Sequence, residues 1–320
     1  MSESHYFQGF MDALQRRIPQ KATLANTITD ILAIDKDAVY RRLRGEVNFS
    51  FNEMANIAKK IGLSLDSIVG IETSQSKPTH VNMPKHVNPS AIDYRMFNAY
   101  IDFLKLIKDE PQTQLLSSGN TLPHYLFYDF ELITRLYISS WSYATWNGSQ
   151  IPFHELVVPE QMKALHKDSC FYLRHVKSTK FVWDRFIIQR LVENILFFYN
   201  LRFITKEDVL LLKNELFELL NYIENLAVTG RYEDTGNEVS IYISDIYIDT
   251  CMSCFKTQNM LLCQFKVFLL NSFSAYDEEV YNEVENWILS LQRMATLITI
   301  SGGKIRSDYF NTQRKIINTL

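Results

Sequence analysis

The amino-acid sequence predicts a mainly α-helical protein. A compact N-terminal unit of five short helices precedes a larger helical unit, which has a small antiparallel β-meander near its C-terminal end. Apolar residues recur at helical spacing along most of the chain, strand-like alternation occurs only around 239–271, and a proline-bearing stretch at 72–90 separates the two parts. We therefore expect a helical domain at 1–71, a linker at 72–90 and a mainly helical domain at 91–320.

Composition excludes several classes of protein. The 320 residues carry a net charge of −3, so a polyanion must be met by a local basic patch rather than by overall charge. Four cysteines are too few for a disulfide framework in a chain of this length. The N-terminal residues lack a signal-peptide pattern, and the most apolar windows, 122–141 and 181–204, contain charges that are costly in a bilayer. We expect a cytoplasmic protein with no membrane partner.

The first three helices of the N-terminal domain are predicted from periodicity and capping signals. Apolar residues follow helical spacing from Phe7 to Ile18 and again from Leu24 to Leu32. Asp35 is a good N-cap for the third helix, because its side chain can accept a hydrogen bond from the first turn. Gly45 is a natural residue just beyond a helix end, where a left-handed conformation is common.

Two further helices complete the predicted domain. Ser50 and Glu53 form a capping box for the fourth helix. A short fifth helix is expected to open at Ser64 and Leu65, around Ile68 and Val69. The predicted inner face of the fourth helix consists of Phe51, Met54, Ala55, Ala58 and Ile61.

The third predicted helix has one apolar stripe and one basic stripe. Val39 and Leu43 are four residues apart and form the stripe that is expected to be buried. The opposite face consists of Lys36, Tyr40 and Arg44, with Asp37 and Arg41 beside them. Arginine can bind guanine O6 and N7 in the major groove, so this face suits a DNA duplex. Phosphate contacts are expected from Arg42, from Lys21 and from the amide groups that begin the second helix.

Residues 24–69 resemble the helix-turn-helix of the phage-repressor and Cro family. ITDILAIDKDAVYRRLRG (28–45) matches a helix, a short turn, a recognition helix and a closing glycine, and SFNEMANIAKKIGLSLDSIV (50–69) resembles the helices that follow. Thr29 stands where the family prefers alanine, and Ala33 stands where its turn usually has glycine. The resemblance implies that six residues of the third helix and its start meet DNA: Asp35, Lys36, Asp37, Tyr40, Arg41 and Arg44.

The C-terminal part is predicted to be helical at 94–107, 122–141, 158–176, 181–204, 206–226, 277–298 and 305–319. Between them, VSIYISDIYID (239–249) alternates and is rich in β-branched and aromatic residues. It is followed by CMSCFKT and MLLCQFKVFLL, with Gln258 and Asn259 as a turn candidate. We expect these three segments to form an antiparallel meander.

Candidate chemical sites in this part are weak. Cys251, Cys254 and Cys263 suggest a metal or redox site, but positions three apart on a strand face opposite ways and no histidine completes the set. His166 and Cys170 share a helix face without a visible oxyanion partner. The aromatic residues at positions 141, 143, 146 and 153 suit core or interface packing better than a ligand pocket. We expect no metal, no cofactor and no enzymatic activity.

These observations predict a sequence-specific bacterial transcription regulator whose partner is double-stranded DNA. One short recognition helix reads few base pairs, so we expect a homodimer formed by the C-terminal domain. That domain is larger than dimerisation requires, which favours sensing of a peptide, a small molecule or a partner protein. The alternative is a protein–protein adaptor whose basic helix is merely solvated and whose helical head is a scaffold.

Overall fold

The structure is a computed structural model of the 320-residue chain. It describes residues 3–18, 20–61, 63, 65, 68, 83–108, 110–145, 151–258 and 260–320. The chain divides into two compact units, Met1–Thr79 and His80–Leu320. Within the described residues, 58% of the chain is helical and 14% is in strands.

Four helices make up the described part of the N-terminal unit: α1 (Glu3–Arg17), α2 (Lys21–Leu32), α3 (Lys36–Leu43) and α4 (Phe51–Ile61). Their buried apolar side chains form one small core. The core consists of Phe10, Met11, Leu14, Leu24, Ala25, Ile28, Val39, Phe49 and Ile57. The periodicity therefore predicted these helices correctly.

One side chain of α4 departs from the predicted inner face. Phe51 is 73% exposed, whereas Ile57 and Ala58 are buried. The reason is that Phe51 is the first residue of α4, directly after the cap at Ser50, where the first turn extends beyond the small core. The helix predicted from Ser64 falls largely outside the described residues, although Leu65 and Ile68 pack against the core.

The predicted linker at 72–90 is described only in its second half, and residues 72–82 lie outside the described residues. Residues 83–90 belong to the packed part of the C-terminal unit. His86 is 3% exposed and lies edge-on to Phe97 and Trp141, with ring centroids 5.1 and 5.2 Å apart. Burial lowers the pKa of His86 to about 3, so this imidazole is neutral at physiological pH.

The C-terminal unit contains a seven-stranded mixed sheet with the order β6-β5-β4-β1-β2-β3-β7. Strands β1, β2 and β3 are parallel, and β4 to β7 pair antiparallel with their neighbours. The strands are β1 (Gln114–Gly119), β2 (Ser178–Asp184), β3 (Glu238–Ser244), β4 (Met252–Lys256), β5 (Leu261–Val267), β6 (Asn271–Ala275) and β7 (Ala295–Leu297).

The predicted fold class was therefore wrong for this unit. An antiparallel meander exists, but it is β4, β5 and β6, and it is only one flank of a sizeable mixed sheet. The segment predicted to open the meander is β3, which pairs parallel with β2. Residues 178–184 were partly assigned to a helix at 181–204, because the apolar run continues from β2 into the helix that follows. Asn259, part of the predicted turn, lies outside the described residues.

Helices cover both faces of the sheet. They are α5 (Ala91–Ile107), α6 (His124–Phe127), α7 (Glu131–Thr145), α8 (Glu160–Arg174), α9 (Ile187–Asn200), α10 (Lys206–Thr229), α11 (Glu278–Arg293) and α12 (Gly303–Ile317), with a 3₁₀ helix at Phe153–Glu155. Thr205 and Asp208 form a capping box at the start of α10.

The two faces carry separate cores because side chains alternate along each strand. Leu116 and Val182 share a core with Tyr281 and Ile288 of α11. Leu115 belongs to the larger core, to which the other helices of this unit contribute. Among the helices that the structure describes, none is both long and apolar enough to cross a lipid bilayer.

Candidate nucleic-acid interface

The turn between α2 and α3 is sharp and uses a left-handed residue. Ala33 ends α2 with φ 51° and ψ 40°, a conformation that residues other than glycine adopt at a cost of about 1–2 kcal/mol. Asp35 then returns to an extended conformation, and its side chain accepts a hydrogen bond of 2.7 Å from the backbone N–H of Ala38. This is the N-cap predicted from the sequence. It defines where α3 begins and in which direction it points.

Burial orients α3 about its own axis. Val39 is fully buried in the core, and Leu43 and Tyr40 are half-buried against it. Lys36 and Asp37 are exposed on the opposite side, in the first turn of the helix. The predicted buried and outward stripes are therefore confirmed, except that Tyr40 lies at their boundary.

The basic face ends at a glycine. Arg41 and Arg44 are also exposed, with side-chain exposures of 60% and 58%. Gly45 follows with φ 75°, the left-handed conformation expected beyond a helix end. The chain can therefore leave α3 without covering the outward face.

Arg42 has a different environment from the other cations of α3. Its guanidinium pairs with the Glu53 carboxylate at 2.9 Å and donates to the carbonyl oxygen of Ala38. Glu53 also accepts from the backbone N–H of Ser50 at 2.8 Å, which completes the predicted capping box. Arg42 thus ties α3 to the start of α4. The phosphate contact predicted for Arg42 stays a prediction.

The pKa of Glu53 reflects these contacts. Partial burial by itself raises the pKa, but hydrogen bonds from Ser50 and Arg42 outweigh it, so the pKa is lowered from its ordinary value. The carboxylate is therefore charged at neutral pH, as the pair requires.

Glu46 was not among the residues predicted for this site. Its carboxylate accepts a hydrogen bond of 2.6 Å from Nε of Arg44, and its second oxygen lies 3.7 Å from Nε of Arg41. The hydrogen bond raises the pKa of Arg44 and lowers that of Glu46. A carboxylate therefore contacts two cations of the outward face in the free protein. The sequence signal was present, since Glu46 directly follows the glycine that ends α3.

The start of α2 has open backbone donors. Gln20 occupies the N-cap position, but its side chain makes no capping hydrogen bond, and the first turn carries no acidic residue. Lys21, the first residue of the helix, is exposed. Uncapped amides and the helix dipole favour an anion at this position, and an exposed lysine adds to that preference.

The cysteine and histidine candidates of the C-terminal unit lie in several separate environments. Cys254 and Cys263 face each other across β4 and β5 with Sγ atoms 3.0 Å apart, while Cys251 lines a cavity on the opposite face of the sheet. Burial raises the pKa of the Cys170 thiol to about 12 and lowers that of His166 to about 4, which does not favour a nucleophile and base. Among the residues that the structure describes, no three side chains of histidine, cysteine, aspartate or glutamate lie together as a metal site would require.

The predicted aromatic cluster is in large part a packing feature. Trp141 and Phe153 are buried in the larger core, and Tyr143 packs against the same core. The indole N–H of Trp141 donates to the side-chain oxygen of Asn271 at 2.7 Å. Trp146 lies outside the described residues.

A two-helix turn with an outward basic second helix is the arrangement of a DNA-binding helix-turn-helix unit. In agreement, residues 8–114 match the BetR domain, a family of the helix-turn-helix DNA-binding type. The match covers about a third of the chain and does not establish the Cro and phage-repressor type. Searches of curated proteins and of solved structures gave no significant match to this chain.

Proposed function

We propose that the protein is a sequence-specific bacterial transcription regulator whose N-terminal unit binds double-stranded DNA in the manner of the Cro and phage-repressor type. The observation that carries the proposal is the outward face of α3. Ala33 in the αL conformation and the N-cap Asp35 define where α3 begins. The helix lies in the segment that matches a DNA-binding family. In this proposal the protein acts by binding in the cytoplasm rather than by catalysis.

Each exposed residue of the face has a role that follows from its chemistry. Arg41 and Arg44 read guanine through bidentate hydrogen bonds, and Lys36 reaches guanine or a phosphate from the first turn. Asp37 accepts a hydrogen bond from cytosine N4 or orients Arg41, one turn further along the helix. Tyr40, at the edge of the face, packs against the sugar-phosphate backbone or a thymine methyl group.

Phosphate contacts position the unit on the duplex. The uncapped start of α2 and Lys21 supply these contacts, because backbone amides and an exposed cation converge there. Arg42 supports the interface indirectly, since its pair with Glu53 holds α3 against α4. Asp35 likewise acts through its cap, which leaves its carboxylate committed to the backbone.

We further propose that the protein works as a homodimer formed by the C-terminal unit. Two recognition helices spaced about one helical turn of DNA apart increase both affinity and specificity. In support, the C-terminal unit exposes large apolar side chains on neighbouring helices, with Phe197 at 47%, Leu210 at 54% and Leu211 at 52%. Light scattering of the purified chain tests this: a monomeric mass at micromolar concentration contradicts the dimer.

Selection of bound fragments from random duplex DNA tests the central proposal. We expect an enriched site composed of two inverted half-sites, because a two-fold dimer reads a palindrome. The matched control is the double variant Arg41→Ala/Arg44→Ala, which keeps the core of α3 intact and should enrich no site. Absence of any enriched sequence with the unmodified protein would refute the proposal.

An adaptor that binds proteins is the second candidate. Glu46 is the observation that favours it, since its carboxylate contacts two arginines of the outward face. The two functions differ in their dependence on salt. A DNA reader loses affinity with a slope of about −0.9 per phosphate contact in a log–log plot against salt. An adaptor shows no preferred DNA site at any salt concentration.

A further inference from the structure

The C-terminal unit contains a cavity at the carboxyl ends of the parallel strands β1 and β2. The space inside it and at its opening amounts to about 660 Å³, a figure that includes open solvent. In sheets with parallel strands, ligands bind in crevices at the carboxyl ends of those strands. Helices α5 and α6 contribute Tyr100 and His124 to the opposite wall.

The face of the sheet that lines the cavity is polar at this end. Ser117 of β1 lies opposite Ser253 of β4, and their hydroxyl groups are 2.9 Å apart. Ser253 is in turn opposite Gln264 of β5. Leu115, two residues before Ser117 on the same face, lies in the apolar core. The change from leucine to serine along one strand leaves open space lined by hydrogen-bonding groups.

A second row of residues crosses the sheet nearer the carboxyl end of β1, two residues beyond Ser117. Gly119 lies beside Cys251, and a side-chain carbon at this glycine would come 2.6 Å from Sγ of Cys251. Lys266 follows on β5, where its backbone N–H donates to the carbonyl oxygen of Cys251. On the other side, Trp183 of β2 lies opposite Gly119. The missing side chain at Gly119 therefore makes room for Sγ of Cys251, which lies in this row between Trp183 and Lys266.

Trp183 provides a polar group that the protein leaves unused. The residue is 2% exposed and lines the cavity, and its indole nitrogen has no hydrogen-bond partner among the described residues. An indole N–H can only donate, and a buried donor without a partner costs about 1–3 kcal/mol. A ligand acceptor in the cavity would remove that cost.

Charge specifies the kind of ligand. Of the described residues that line the cavity, Lys266 is the one lysine or arginine, and none is an aspartate or glutamate. Burial lowers the pKa of Lys266, so the cavity without a ligand disfavours the charged side chain, which a bound carboxylate would stabilise. Nζ of Lys266 donates to Thr121 Oγ1 at 2.9 Å and lies 5.5 Å from the centre of the Tyr137 ring. Burial lowers the pKa of His124 to about 3, which keeps that imidazole neutral. A buried lysine among aromatic and hydroxyl side chains, with no acidic side chain in the described lining, suits a ligand with one carboxylate.

We propose that this cavity binds a small carboxylate with a flat aromatic body. The carboxylate accepts from the Lys266 ammonium and the nearby hydroxyl groups. The aromatic body lies between Trp183 and Phe255 on the sheet and Tyr100 and His124 on the helices. The binding site is independent of DNA recognition, whereas its role as the effector site of a regulator rests on the function proposed above.

Calorimetric titration of the full chain with benzoate, trans-cinnamate and indole-3-acetate tests the site. The ligand concentration should reach about 10 mM, which is ten times the dissociation constant of about 1 mM expected for a weak site. The corresponding neutral amides keep the aromatic body and remove the charge. At least one carboxylate is expected to bind, and at least about tenfold more tightly than its amide, because charge-assisted hydrogen bonds are the stronger ones. Lack of heat from all three carboxylates overturns the proposal.

Two variants identify the cavity as the place of binding. Lys266→Met replaces the amine by an unbranched apolar side chain one atom shorter. It should weaken carboxylate binding by about tenfold or more without changing amide binding. Lys256→Met is the matched control, because Lys256 is exposed on the adjacent strand β4. Equal loss in both variants, or none in Lys266→Met, contradicts the assignment. Thermal unfolding of each variant checks that the fold is retained.

Trp183 gives an independent optical readout. A ligand beside the indole should change the tryptophan fluorescence, and Trp183→Phe should abolish that change while retaining the ring stacking. If the change persists in Trp183→Phe, the ligand lies elsewhere. The effect of the bound carboxylate on affinity for the selected DNA site is measured last. A ligand that binds without altering DNA affinity removes the effector role alone, and failure of DNA selection leaves the cavity assignment standing.

Discussion

Glu46 offers the sharpest test of the proposed DNA interface, because in the free protein it occupies the donors that DNA would use. Its carboxylate accepts from Nε of Arg44 at 2.6 Å and lies 3.7 Å from Nε of Arg41. DNA binding must therefore break or share these contacts. We predict that Glu46→Gln binds the selected DNA site more tightly than the unmodified protein does.

The magnitude follows from the number of cations released. If the substitution frees one further arginine charge per α3 helix to offset the charge of the DNA, the salt slope steepens by about 0.9 per helix. Over the tenfold interval from 1 M to 0.1 M salt, a slope of 0.9 corresponds to about eightfold in affinity. We therefore expect about an eightfold gain per recognition helix at low salt and almost none at high salt.

Fluorescence anisotropy of a labelled duplex, measured over a series of salt concentrations, gives both affinity and slope. The matched control is Asp12→Asn, which removes the same charge from an exposed position on α1. Both substitutions change the net charge equally, so a general electrostatic effect would appear in both. The local contact with Arg41 and Arg44 would appear in Glu46→Gln alone.

Two outcomes would refute the reasoning. Equal gains for Glu46→Gln and Asp12→Asn would mean that Glu46 acts only through overall charge. A loss of affinity in Glu46→Gln would mean that the carboxylate orients the arginines for base contacts instead of competing with the DNA. In that case Glu46 would be a residue that positions Arg41 and Arg44 for DNA, and not one that competes with DNA for them.

Three further predictions concern the same unit. Arg44→Ala should weaken binding to the selected DNA site by about 1–3 kcal/mol and relax the sequence preference at one base pair. Repeating the selection with this variant measures the preference. An unchanged preference would mean that Arg44 does not contact a base. Ala33→Gly should raise the free energy of unfolding by about 0.5–1 kcal/mol in urea, since relief of the αL cost of about 1–2 kcal/mol exceeds the added freedom of the unfolded chain. Glu53→Gln should lower that free energy at neutral pH by about 1 kcal/mol, through loss of the pair with Arg42. Because the folded-state pKa of Glu53 is lowered, its contribution is present above the unfolded value of about 4.3 and lost as the pH falls through the folded value. The difference between Glu53→Gln and the unmodified protein should therefore vanish at acidic pH, and a difference that persists there contradicts the charge-based account.

The features of α3 and its ends were predictable because they are local. The cap at Asp35 and the capping box of Ser50 and Glu53 each join groups three residues apart, and Gly45 adopts its left-handed conformation at the helix end itself. The buried position of Val39 follows from helical periodicity. The pair between Arg42 and Glu53 was missed because it spans two helices, although only eleven residues separate the partners.

The C-terminal unit shows the opposite case. Strand β1 pairs with β2 across a separation of 64 residues, from Gln114 to Ser178, and nothing in the letters QLLSSG marks that partner. Strand β2 merges into the apolar pattern of the helix that follows it, so the composition of the segment favoured one long helix. The alternation in β3 was read correctly as a strand, but its partners were not: it pairs parallel with β2 and antiparallel with β7 instead of with β4. Alternation does not specify which strand lies beside it.

By itself, the sequence determined the helix-turn-helix, its caps and the identity of its outward face, since these depend on hydrogen bonds and periodicity within one or two turns. Only the tertiary structure decided the mixed sheet, the commitment of Arg42 to Glu53, the contact of Glu46 with Arg44, and the cavity beside Lys266. Strand pairing and side-chain partnership between elements are settled by the packing of the whole unit, where many distant residues compete for the same neighbours.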